Sequence, residues 1–191
     1  IDLSIGGAAG TELIRAGLGN AILEGQNVML NDYAITGTGT VTLLAGRNVT
    51  PTGAITTATA GTVDVTAKTL NMTAGTIGTL AAPIDITVST QANADTHLNN
   101  GAIYLNSVGA LPLGTVNAGT STVTLNTSGA ISDANGGSTN VTAATLTLTG
   151  NQNFGTSGDP LETSLTNAAL TTADAYLTNA GALNFNTSTV T

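Results

Sequence analysis

The chain has 191 residues, enough for a single domain with a buried core, yet only 7% of them are charged and 3% aromatic, against roughly 25% charged in an ordinary domain. A net charge of −8 with three cations, Arg15, Arg47 and Lys68, leaves no basic patch and no stacking platform, which excludes nucleic acid as a partner. No apolar run nears the roughly 20 residues of a membrane-spanning helix, and the absence of cysteine excludes disulfides and thiolate metal sites.

In chain order, residues 1–20 are an irregular lead-in. Residues 1–5 alternate like a strand. Residues 11–18 read either as one helical turn, with Thr11 as cap and Gly17 as stop, or as another strand-bearing coil. From Ala21 a rhythm sets in: strands around 21–23, 28–30, 33–36, 40–44, 49, 54–56 and 61–65, with corners rich in Gly and Asn between them. Nowhere do apolar residues recur at helical spacing, which excludes a helix bundle. Comparable inward residues recur every 8 to 10 positions, so three short strands make one coil of about 20 to 25 residues. The expected fold is all-β: a parallel β-solenoid of about eight to nine coils, with inward Val, Ile and Leu and outward Thr. Its plainest stretch is 129–149, where Val141, Leu146 and Leu148, together with Ile131 and Val123, are expected inside, and Thr142-Ala143-Ala144 separates two strand pieces.

A longer period overlies the coil. Residues 65–73 match 141–149 at an offset of 76, while Ile77-Gly78 and Pro83-Ile84 match Phe154-Gly155 and Pro160-Leu161 at 77. Residues 101–103 match 181–183 at 80, which puts the slack between Val88 and Gly101, as a loop insertion does. The whole of 1–191 is thus one β-solenoid segment with internal modules at about 63–140 and 141–191, the second incomplete. With Ile1 at its start, and no charged and apolar leader, it reads as a piece of a longer repeat protein.

The order Gly-Ala-Ile-Ser-Asp-Ala-Asn-Gly at 129–136, Asn-Val-Thr-Ala-x-x-Leu-Thr-Leu at 140–148 and Gly-x-x-x-Asp-Pro-Leu-x-Thr at 155–163 resembles repeats of filamentous haemagglutinin-like bacterial adhesins of the two-partner secretion type. The resemblance covers about residues 20–191. It implies a right-handed parallel β-helix, an extracellular or cell-surface location, and a shaft or adhesive role. Partners would be neighbouring repeats or copies of the chain, or a glycan or host-surface receptor. No Asn-Pro-Asn-Gly signature of the secretion domain occurs, which favours shaft over secretion module.

The residues offer no catalytic, cofactor or metal site strong enough to name. Acids are scattered, and Asp64 with Asp85, one coil apart, is the closest approach to the paired carboxylates of a polysaccharide-acting β-helix enzyme. His97 is the sole histidine, in Asp95-Thr96-His97. Asp133-Ala134-Asn135-Gly136 is half of an oxygen-rich calcium loop without its terminal Glu. Asn48, Asn71, Asn126, Asn140 and Asn186 head formal glycosylation sequons that stacked corner asparagines also explain. Thr-x-Thr runs at 40–42, 120–124, 145–149 and 187–191 raise the alternative of an ice-binding face, if they fall in register on most coils.

Overall fold

The computed structural model describes residues 3–4, 14–17, 19–30, 35–46, 51–150 and 152–190. Among them there is no helix, and the named strands pair in parallel, with one isolated antiparallel bridge, Thr156–Asp159; no helix is long and apolar enough to cross a membrane. The organising ladder joins Leu3, Val28, Ile55, Ile77, Ile103, Val123, Leu146, Ala168 and Phe185, each beside its counterpart in the next coil. Six turns, from Ile55 to Phe185, are described throughout except for Asn151. The expected eight to nine coils therefore become about six fully described turns, with the ladder running on to Val28 and Leu3.

Strands form because β-branched and Leu residues alternate with Thr and Asn, and the pleat sends successive side chains to opposite faces. Thr40–Ala45 alternates half-buried and buried along its length. Val123, Ile131, Val141, Leu146 and Leu148 are all at most 2% exposed, as expected. A single narrow core results, running from Leu23 to Leu170. Ile14–Gly17 is a strand paired with Ile35–Gly37, so the coil reading holds there over the helical turn; residues 5–13, 18 and 47–50 lie outside the described residues. Two further boundaries shift. Residues 61–63 belong to a corner, the strand starting only at Val65. Val141–Thr149 is one strand that bends at Ala144, where the inward phase slips by one residue, instead of two separated pieces.

Val65–Thr73 has the same kinked form, bending at exposed Lys68. The two matched strands nevertheless occupy different faces of the solenoid. Three coils on from Val65, through Ile86 and Ser107, lies Thr127. Val141 stands instead in the column of Met72, Ala94 and Val116. The repeat of about 77 residues is not a whole number of coils; it is three coils plus one face.

Both modules carry the same loop. Gly78 (φ 63°) and Gly155 (φ 72°) start excursions that return at Ile84 and Leu161. Thr79 donates to Ala82 O at 2.9 Å in one, and Thr156 to Asp159 O at 3.0 Å in the other. Each glycine is pressed against the next coil. A Cβ on Gly78 would lie 2.6 Å from Tyr104 O, and one on Gly155 2.5 Å from Tyr176 O. Tyr104 thus corresponds to Tyr176, an offset of 72, and the 80-residue match of 101–103 to 181–183 is not structural. The slack is a shortening: the corner at 97–102 becomes 173–174 in the second module.

Candidate functional site

Among the described residues, three polar clusters and two grooves offer material for chemistry or binding. Asp64 and Asp85 do fall on adjacent coils, and both are fully buried. All four of their carboxylate oxygens accept hydrogen bonds. Asp64 Oδ1 takes the Thr57 hydroxyl at 2.7 Å and Oδ2 the Asp85 N–H at 2.8 Å. Asp85 Oδ2 takes the Gly61 N–H at 2.8 Å, and Oδ1 takes the Asn106 amide. Asn106 Oδ1 in turn accepts from Asn126 Nδ2 at 3.0 Å, so an Asp–Asn–Asn column runs across three coils. The pair pins the corner at 57–64 onto the next coil and is sealed from solvent.

The column's direction is set by Asp85, an acceptor at both oxygens. Asp85→Asn keeps an acceptor for the Gly61 N–H, and its new amide donor is met if Asn106 and Asn126 reverse their amides. Its unfolding free energy from urea titration should therefore change by less than about 1 kcal/mol, whereas Asp85→Ala, which orphans the buried Gly61 and Asn106 donors, should cost about 2–3 kcal/mol. Equal losses for the two variants would show that no reversal occurs.

Asn140 is also fully buried. Its Nδ2 lies 2.8 Å from Asp133 Oδ1, 2.9 Å from Asn135 Oδ1, 3.1 Å from Leu113 O and 3.3 Å from Gly114 O. Four oxygens converge, as they do on a hard cation, but the point of convergence is held by an amide nitrogen of the chain. Asn140 Oδ1 accepts the Glu162 N–H at 2.9 Å, tying the cluster to the next coil; Glu162 Oε2 is enclosed there without a hydrogen-bond partner. Asp133 closes its own loop by accepting the Asn135 N–H at 2.8 Å. The half calcium loop is thus a self-satisfied corner, and among the described residues no three His, Asp or Glu side chains gather to hold a metal.

His97 Nδ1 lies 2.6 Å from Asp95 Oδ1, with their side chains 44% and 41% exposed. Asp95 also accepts the His97 N–H, and buried Thr96 donates to Gly101 O at 2.6 Å. These bonds close one corner locally and bring in no third functional group. Of the sequon asparagines, Asn71 accepts from Asn93 and Asn126 donates to Asn106; both stack as expected, but within strands and not at corners. Asn140 is in the core, Asn186 is exposed, and Asn48 lies outside the described residues. Thr122 stacks on Thr145 and Thr124 on Thr147, but the neighbours of this pair are Tyr104 below and Asn167 and Ala169 above. This two-by-two array spans two coils, while single threonine columns run over three, Thr149–Thr171–Thr189 and Thr36–Thr66–Thr87, among the described residues.

The grooves lie where the long strands bend. One, of about 250 Å³, is lined by Thr66, Ala67 and Lys68 with Thr87, Ser89 and Thr90 of the next coil. The other, of about 350 Å³, is lined by Thr142, Ala143 and Ala144 with Ser164, Leu165 and Thr166. They are the same place in the two modules, 76 to 77 residues apart in sequence and one face apart on the solenoid. Sequence reasoning noted the strand match without seeing that each kink opens a cleft between coils. Set against protein-family models, curated proteins and solved structures, the chain matches none of them.

Proposed function

We propose that the chain is a structural and adhesive segment of a β-solenoid rod, part of a large bacterial cell-surface or secreted filament protein. The observation that carries this reading is the ladder from Leu3 to Phe185, in which each rung pairs in parallel with the next. Such coil-on-coil pairing satisfies the backbone between coils and suits a stiff shaft. The side walls suit the same role: with few ionised groups, little charge is desolvated when rods touch. The resemblance to filamentous haemagglutinin-like repeats points the same way and supplies the extracellular setting.

Electron cryo-microscopy of the native assembly tests the proposal. Rods with a continuous axial repeat of about 4.8 Å, running without a break across module boundaries, are the expected result. Compact particles with both solenoid ends covered by other structure would overturn the shaft role.

A further inference from the structure

The groove at the first kink holds a feature its twin lacks: Lys68 stands where the second has Ala144. Arg15, Arg47 and Lys68 are the only cations of the sequence. Lys68 is exposed and makes no ion pair among the described residues. Thr38, Thr66, Thr87, Ser89 and Thr90 line the groove with it. The carboxylates nearest along these strands, Asp64 and Asp85, are turned into the core and fully buried, so none of the groove's own lining neutralises the lysine. In a chain of net charge −8, a lone cation in a cleft free of carboxylates marks a local reversal of sign.

We propose that this groove binds the carboxylate-bearing rings of an acidic polysaccharide, Lys68 pairing with the carboxylate and the threonine and serine hydroxyls exchanging hydrogen bonds with the ring hydroxyls. The chemistry narrows the ligand in three ways. One cation serves one carboxylate per ring, whereas a polyphosphate or nucleic acid needs several to gain affinity by counterion release. Hydroxyl side chains donate and accept, matching a polyol on both counts. The volume of about 250 Å³ is at the small end of ligand pockets, so the groove takes a short stretch of a longer polymer. An exposed ion pair contributes little alone, so the single site is weak and tight attachment comes from many sites on one polymer. The inference gives the adhesive half of the proposed function a ligand class. It rests on that reading for its setting only, since the titration below uses the separate chain.

The test is a ¹⁵N-resolved NMR titration of the full chain with tri-galacturonate, with an uncharged galactan trisaccharide and penta-glutamate as comparisons. The expected result is shifts confined to 66–68 and 87–90, about two- to fivefold weaker binding of the uncharged sugar, and a similar loss in Lys68→Ala. Ala144→Lys should create a second set of shifts at 142–144 and 164–166. Absence of binding, shifts elsewhere, or equal affinity in Lys68→Ala would overturn the proposal. Tighter binding of penta-glutamate than of the acidic sugar would overturn the proposal and assign the groove to acidic peptides. A negative titration leaves the rod standing, and an absence of filaments leaves the groove standing.

Discussion

Replacing Gly101 with alanine is expected to disrupt the solenoid at its middle. A Cβ there would sit 1.6 Å from the carbonyl oxygen of Gly75 and 2.8 Å from its carbon, both backbone atoms of the preceding coil. Gly75 is itself packed on the coil before, with Thr52 O 2.8 Å and Gly53 O 3.0 Å from its absent Cβ, and a Cβ on Gly53 would meet Gln26 O at 1.6 Å. Three glycines from successive coils therefore share one corner, each leaving room for the backbone of the coil beneath. None of the three has a positive φ, so the requirement is for space and not for an unusual backbone. Relief needs the coils to part, which breaks the parallel hydrogen bonds on either side. The cost should exceed the roughly 1–3 kcal/mol of ordinary overpacking, and the melting temperature followed by circular dichroism should fall by about 10 °C or more. Gly137→Ala is the matched control: nothing lies within 4 Å of its Cβ position, and its φ is not positive. Its change should stay within about 0.5 kcal/mol. A Gly101→Ala protein that melts with the control would show that coil spacing is not set at this corner.

Asn140→Asp is the second large effect. The substitution preserves shape and exchanges one amide nitrogen for an oxygen. That oxygen then faces Asp133 Oδ1, Asn135 Oδ1 and the Leu113 and Gly114 carbonyls, all within 3.3 Å of the present nitrogen. If the side chain turns over instead, the Glu162 N–H keeps its acceptor but the four oxygens still lose their donor. A buried carboxylate with no cation beside it, and the Glu162 N–H as its donor, should cost about 3–5 kcal/mol. The double variant with Asp133→Asn removes the nearest like charge and supplies a donor, so the two changes should be strongly non-additive, with a coupling of about 1–3 kcal/mol in a denaturation cycle. Additive losses would mean that Asp133 and Asn140 do not share one cluster.

Much of this architecture was legible because it is written in nearest neighbours. Alternation placed Val141, Leu146 and Leu148 in the core, and the corners fell at Gly and Asn. Parallel stacking followed from the regular spacing of those strands. What escaped depends on the phase between coils, which is a sum over many corner lengths. The glycine column at 53, 75 and 101 has unequal spacings of 22 and 26 residues, so no fixed period reveals it. The match of 101–103 to 181–183 was misleading because Gly-Ala followed by an aliphatic residue is common in so repetitive a chain; the loop contacts of Gly78 and Gly155 pair Tyr104 with Tyr176. Asn140 headed a formal sequon, and only the fold puts it inside, as a donor to four oxygens. The grooves were illegible for a similar reason. Each joins residues about 20 positions apart, and the kink at Lys68 or Ala144 leaves no mark in composition.

The displacement of the second module by one face makes the sequence repeat behave as a screw thread. If the pattern continues along a longer rod, a motif returns to its starting side only after three modules, or ten coils, about 48 Å along the axis at roughly 4.8 Å per coil. Any feature specific to a module is then dealt in turn to all three sides of the shaft. Such a rod has no privileged flank: it resists bending alike in every direction, and it meets a surface in the same way however it is rolled.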